Sequence, residues 1–192
     1  MSPENNQEER QISARSRGVV VELPIQDDLP SILNVIRTSW IGAHQNVELG
    51  ITEKDLVREH YHRFEGNAEG QRGKQITDPQ AGIISMLARN PNGEVVGFCR
   101  ANEQDESNVI TGVYVLPEVQ RTGVGTLLLN NVIEKLNPLK STILRVATYN
   151  SKAIAFYGKH GFKPTELREN FQMKYSDKRI PIMEMRRNPI AS

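Results

Sequence analysis

Two glycines, Gly123 and Gly125, stand between a β-branched run and an apolar one in Val113-Tyr114-Val115-Leu116-Pro117-Glu118-Val119-Gln120-Arg121-Thr122-Gly123-Val124-Gly125-Thr126-Leu127-Leu128-Leu129. The pattern predicts a strand, a short loop and a helix. The first turn of a helix carries backbone N–H groups without carbonyl partners at the positive end of the helix dipole. Such groups suit a phosphate or pyrophosphate, and glycine lets the backbone come close because no Cβ intervenes. A nucleoside-triphosphate loop would end in Gly-Lys-Ser/Thr, whereas this one reads Gly125-Thr126-Leu127. A dinucleotide fingerprint would place a third glycine where Leu128 stands. The spacing therefore points to a phosphate cradle that serves neither ATP nor NAD.

A second motif follows in Val146-Ala147-Thr148-Tyr149-Asn150-Ser151-Lys152-Ala153-Ile154-Ala155-Phe156-Tyr157-Gly158-Lys159-His160-Gly161-Phe162. QxxGxG followed by NxxAxxFYxxxGF, in that order, resembles the GNAT superfamily of N-acetyltransferases, which use acetyl-coenzyme A. The two motifs and the elements joining them span residues 94–163; the flanks are compatible but less specific. The resemblance implies an α/β fold: a single mixed, mostly antiparallel twisted sheet with flanking helices, splayed between two central parallel strands at 109–115 and 142–149. It implies that acetyl-CoA lies in that wedge as acyl donor. Cofactor contacts then fall to Val113, Tyr114 and Val115, whose strand pairs with the pantetheine arm, and to Gln120, Arg121, Thr122, Gly123, Val124, Gly125 and Thr126 around the pyrophosphate. Asn150, Ala153, Phe156 and Tyr157 complete the set. A backbone N–H near Val113 could also polarise the thioester carbonyl.

Acetyl transfer from a thioester to an amine needs a held donor, a neutral amine and an acid for the departing thiolate. Tyr157 is the candidate acid. A phenol with a reference pKa of about 10 is protonated at neutral pH and can pass that proton to sulfur, and the resemblance places a tyrosine here facing the thioester. The alternative is that Tyr157 packs on its helix face with Ala153 and His160. Asn150 is expected to hydrogen-bond the pantetheine, to cap the helix beginning at Ser151, or both. A general base is harder to find. Many members of the superfamily carry a glutamate near the start of the strand leading into the cradle, and here that stretch reads Ser107-Asn108-Val109-Ile110. Glu103, just upstream with Asp105 and Glu106, is the remaining candidate, and a water chain to solvent is an equal one.

Other chemistry-bearing residues fit structural roles. His60 and His62, two apart in a predicted helix, face different ways and make a poor metal pair; no metal is expected. Trp40 and His44 lie in the segment where the superfamily builds its acceptor pocket, and Trp40 can equally anchor the core. Cys99, inside Val95-Val96-Gly97-Phe98-Cys99, is expected to be a buried, inert thiol.

These residues need a scaffold, and 192 residues suffice for one domain with a substantial core. A formal net charge of +1 gives no support to nucleic-acid or membrane-surface binding. No apolar run approaches the roughly 20 residues of a membrane span, the first 17 residues lack a secretory core, and a cytoplasmic protein is the simplest expectation. Residues 1–17 are too polar to bury surface and are expected to be a disordered tail, leaving 18–188 as the domain. Within it the patterns predict a strand at 18–23, then a helix capped by Asp27 or Asp28 with Pro30 in its first turn, ending before a loop at Gly42. A second helix begins at the Thr52/Asp55 capping pair and carries Leu56 to Phe64. A polar loop covers 66–82. Strands follow at 83–89 and 94–101 around the turn Pro91-Asn92-Gly93, then at 109–115. Next come a helix with Val124, Leu128, Val132 and Leu136 along one stripe, a strand at 142–149, and a helix at 151–160 closed by Gly161. Polar residues 166–178 precede a last strand at 179–185.

The reading is an acetyl-CoA-dependent N-acetyltransferase acting on a primary amine of a small molecule or peptide by direct attack in a ternary complex. A homodimer is possible by analogy with the superfamily. The competing reading is a non-catalytic acyl-CoA-binding sensor.

Overall fold

The computed structural model describes residues 18–62, 75–77 and 82–189. The expected tail at 1–17 and most of the 66–82 loop lie outside the described residues. In chain order the elements are β1 (Val20–Glu22), α1 (Leu29–His44), α2 (Glu53–His60), β2 (Ile83–Arg89), β3 (Val95–Glu103), β4 (Ser107–Val115), α3 (Val124–Ile133), β5 (Ser141–Ala147), α4 (Ser151–Lys159), β6 (Lys163–Gln172) and β7 (Arg179–Arg187). The strands form one sheet in the order β1-β2-β3-β4-β5-β7-β6. Every neighbouring pair is antiparallel except β4 and β5. A parallel pair needs a crossover, and α3 supplies it. This is the mixed, mostly antiparallel sheet that the motifs imply.

Alternation along the strands sends side chains to two faces. On one, Met86, Cys99, Ile110, Leu144 and Met185 pack against Val124, Leu128, Val132 and Leu136 of the α3 segment and against Tyr157 and Phe162. On the other, Leu87 and Phe98 pack against Leu29, Ile32, Leu33 and Ile36 of α1. Farther along that face Trp40, Ile51, Leu56, Ala147 and Ile180 form a third cluster. The stripe read from the α3 sequence is the buried one.

The structure revises several local expectations. Asp28 precedes α1 but its side chain does not cap the helix. Instead Oδ1 accepts a 2.8 Å bond from Arg89 and Oδ2 one from the Ile25 N–H, so the acid ties the entry of α1 to the edge of β2. Although burial opposes the charge, these bonds hold the Asp28 carboxyl below its ordinary range. Gly42 does not break α1, which continues to His44. Thr52 and Asp55 do form the capping box. The polar stretch after Phe162 is strand β6, paired with β7 across an irregularity between Pro164 and Arg168.

Candidate active site

β4 and β5 are in register only from Ser107↔Ser141 to Ile110↔Leu144. Where their pairing stops, β4 carries an extra residue: Arg100 pairs with Gly112 and Ala101 with Ile110, so Thr111 has no partner in β3. A bulge bends its strand and adds twist, and this one swings the rest of β4 away from β5. Thr111 Oγ1 closes the bulge with a 3.0 Å bond to the Arg100 carbonyl.

Beyond the bulge, the alternation of ladder bonds decides what lines the opening. The Leu116 N–H bonds to the Val96 carbonyl, so Leu116, Tyr114 and Gly112 turn their backbone groups toward β3. Val113 and Val115 turn theirs into the gap. The carbonyl of Val115 is already taken, by Ser39 Oγ at 2.9 Å and Gln120 Nε2 at 3.1 Å. Gln120 therefore pins the cradle loop to β4. On the opposite wall Tyr149, just past β5, donates its hydroxyl to the His44 carbonyl at 2.9 Å. The last turns of α1 thus bridge the gap, Ser39 on one wall and His44 on the other.

The cradle has the expected local geometry. Gly123 is the N-cap of α3 in the left-handed region, with φ 98°, and Arg121 is the single non-glycine residue among those described with positive φ, at 64°. Left-handed backbone at a non-glycine residue is uncommon and marks a constrained turn. Thr122 Oγ1 closes that turn on the Val119 carbonyl at 2.7 Å. The first bond within the helix runs from the Leu127 N–H to the Gly123 carbonyl, so the N–H groups of Val124, Gly125 and Thr126 face outward without helical partners. Gly125 faces Phe156: an added Cβ would lie 3.5 Å from its ring.

Tyr157 stands on the α3/α4 face of the sheet, 8% exposed, with its ring 5.9 Å from Phe162 and 5.2 Å from Phe156. Burial, and then the neighbouring Cys99 and Tyr114, push its phenol well above the ordinary tyrosine range, while a hydrogen bond from the Val113 backbone pulls the other way. The candidate acid and the gap-facing backbone of Val113, named separately from the sequence, are thus brought together. Packing and acid roles do not exclude each other here.

Asn150 caps α4, its Oδ1 accepting from the Ala153 N–H at 3.0 Å. Ala153 and Phe156 flank the same cluster as Tyr157. Glu103 is not brought to this group. It sits where β3 ends, pairing with Asn108, and its Oε1 accepts a 2.8 Å bond from the Asn137 N–H, at the closed end of the β4/β5 pair. It braces the loop after α3. Cys99 is fully buried and its thiol is pushed up by that burial, the state of an inert side chain. Trp40 is a core anchor with its ring 4.9 Å from His44. His60 is buried, whereas His62 stacks on Tyr175 at 4.0 Å. Among the described residues no cluster of His, Cys, Asp and Glu could hold a metal ion, and no helix is long and apolar enough to cross a membrane. An open groove of about 820 Å³ between α1 and α2, lined by Arg37, Lys54, Val57, Tyr61 and His62 among others, shares no residue with the gap.

Two features escaped the sequence reading. Ser39 is one more polar residue on a helix, and nothing in its neighbourhood announces a bond to a strand 76 positions away. Arg100 did carry a signal: it is a cation that interrupts an apolar strand run. Its chain lies on the α1 face, two residues beyond Phe98, and burial pushes its guanidinium below its ordinary range, against the influence of Tyr114.

The profile of the acetyltransferase (GNAT) family matches residues 50–162. No curated protein sequence matches the chain. Among solved structures it is similar to the PaiA N-acetyltransferase of Thermoplasma acidophilum in complex with coenzyme A, with TM-score 0.65, 18% identity, and 86% of this chain and 97% of that one covered. The ribosomal-protein-S18-alanine N-acetyltransferase of Escherichia coli gives TM-score 0.61 at 20% identity, covering 91% and 96%. Arabidopsis thaliana NAA60, solved with a bisubstrate analogue, gives 0.62 at 14%, covering 91% and 99%. At these identities the likeness is one of fold.

Proposed function

The chain belongs to the GNAT family of acetyltransferases, and from that premise we propose that it transfers the acetyl group of acetyl-CoA to a primary amine by direct attack, with Tyr157 as the proton donor. The observation that carries this reading is the meeting of the Tyr157 hydroxyl with the Val113 backbone at the edge of the gap between β4 and β5. Bound acetyl-CoA supplies the activated acyl group. The residues present suit it: outward N–H groups of Val124, Gly125 and Thr126 for its pyrophosphate, an unpaired β4 edge for its amide-bearing arm, and Phe156 and Ala153 for its apolar surface.

The chain's own contributions then follow from position. Val113 offers a gap-facing N–H that acts on the neutral Tyr157 oxygen in this structure and would steady negative charge on an acyl oxygen entering the gap. Tyr157 stays protonated over the whole physiological range because burial raises it, so it is always ready to donate. A raised phenol is also a reluctant acid, which fits a proton shared with sulfur as the thiolate leaves and regained afterwards. Deprotonation of the amine is left to solvent, since Glu103 is engaged with Asn137.

The test is release of free thiol when the protein meets acetyl-CoA and a panel of polyamines, amino acids, aminoglycosides and peptides. Amine-dependent release supports transfer. Binding of acetyl-CoA with no release on any amine would refute it in favour of a sensor.

A further inference from the structure

Tyr157 and the packed α3/α4 layer occupy one side of the sheet at the gap. An amine can therefore reach the reacting carbon only from the side of α1. That side holds an unusual group of polar atoms. Ser85, Arg100 and Gly112 are consecutive register partners across β2, β3 and β4, and Asn102 follows Arg100 on the same face. Ser85 Oγ, Arg100 Nε and Asn102 Oδ1 are all buried without a hydrogen-bond partner. Buried polar atoms without partners are rare and costly, and three on one face within two strand spacings make a site suited to a polar ligand.

The charge in this group is also uncompensated. Among the described residues no carboxylate acts on Arg100, whose one electrostatic neighbour is the Tyr114 phenol. Tyr114 folds back along its own strand: a Cβ on Gly112 would lie 2.4 Å from the Tyr114 ring. Gly112 makes room for that ring, and the ring brings its hydroxyl end beside Gly112 on the α1 face. A half-buried guanidinium lacking an acid is matched by a planar anion that accepts two parallel N–H bonds. Arg100 sits one strand spacing, roughly 5 Å, from the peptide that precedes Val113. An anion held there would place an amine a few bonds away at the gap.

We propose that Arg100, with Ser85 and Asn102, binds the carboxylate of the acceptor, so that this protein acetylates amino-carboxylates in preference to simple amines. The Ser85 hydroxyl and the Asn102 amide, whose two ends exchange by a flip, complete the carboxylate's hydrogen bonds, and Tyr114 walls the pocket. This rests on the acetyl transfer proposed above and names the acceptor class for the same site.

The experiment compares kcat/KM of the full chain for amino acids, their carboxamides and their decarboxylated amines, with the same three series for Arg100→Met and Arg100→Lys. Wild type should prefer the carboxylates by roughly 10²- to 10³-fold, the worth of a buried charge-assisted pair. That preference should collapse in Arg100→Met and be partly kept in Arg100→Lys. Acetyl-CoA affinity by calorimetry and the melting temperature report whether each variant is folded. If Arg100→Met does not fold, the wild-type comparison and Arg100→Lys decide. Equal use of carboxylates and carboxamides by wild type, or a preference that survives Arg100→Met, would overturn the assignment while leaving acetyl transfer intact. Transfer to no amine at all, with acetyl-CoA bound, would overturn both.

Discussion

Replacing Tyr157 by Phe removes one oxygen and leaves the ring among Phe156 and Phe162. Three consequences can be sized. The Val113 backbone loses its partner on Tyr157, a loss of about 1 kcal/mol for a net hydrogen bond; in a chain of this length that lowers Tm by about 2–4 °C. The rate should fall much more, by roughly 10²- to 10⁴-fold in kcat, if the hydroxyl hands a proton to the leaving thiolate. That deficit should shrink as pH passes the thiol's reference value of about 8.5, where the thiolate leaves unaided. Third, alkaline stability should change. The Tyr157 phenol has an ordinary value of 10.0 and is raised on folding, so its favourable contribution is intact below pH 10. Above that the unfolded chain loses the proton while the folded one keeps it, and stability falls by about 1.4 kcal/mol per pH unit until the folded value is passed. Cys99 adds a like slope from its ordinary value of 9.0 upward, so only the difference between wild type and variant isolates Tyr157. Steady-state kinetics from pH 6 to 10, and denaturant unfolding at pH 8 and 11, measure all three. Full kcat at pH 7 in the variant would reduce Tyr157 to a packing residue. A rate loss matched by an equal loss of acetyl-CoA affinity would show that the hydroxyl holds ligand and does not move a proton.

Gly123→Asp puts a carboxylate in the cradle and a side chain at φ 98°; acetyl-CoA binding by calorimetry should vanish, with a stability cost of roughly 1–2 kcal/mol from the left-handed backbone, and wild-type affinity would remove the pyrophosphate from this loop. Gly97→Val should destabilise by roughly 1–3 kcal/mol or more, because its Cβ would lie 2.7 Å from Leu128 and 3.2 Å from Val124; shifting α3 should also weaken acetyl-CoA binding, and an unchanged Tm would contradict the packing. Removing residues 1–17 should leave melting temperature and activity as in the full chain, since their composition offers little apolar surface; a fall of many degrees would show that they dock.

The half of the chain from β4 to α4 was legible because its turns, caps and packing demand particular residues: glycine where backbone turns left-handed at Gly123, an asparagine cap at Asn150, a helical stripe from Val124 to Leu136. What stayed hidden has specific causes. β6 is exposed along nearly its whole length and pairs on one side only, so it has no apolar alternation to betray a strand. Gly42 has open space around it, and a glycine there costs α1 too little to end it. Asp28 looked like a cap because it precedes a helix with proline in its first turn, but a distant partner, Arg89, claimed its carboxylate. Glu103 was likewise taken by a long-range partner, the Asn137 N–H. Contacts between residues far apart in the chain leave no local spacing to read.

The unpaired Thr111 makes chain length itself a functional variable. Ile110 and Val113 face the same core although three positions apart, which an even strand would forbid; the extra residue absorbs the odd step. A one-residue deletion there would let β4 run straight beside β5, restoring ladder bonds and removing the opening. Such a chain would keep the pairing of Ile110 and Gly112 with β3 and would have no room for a thioester. At this point in the molecule an unbroken sheet is the failure, and a codon lost at 111 would silence the protein by completing its sheet, with the cradle left untouched.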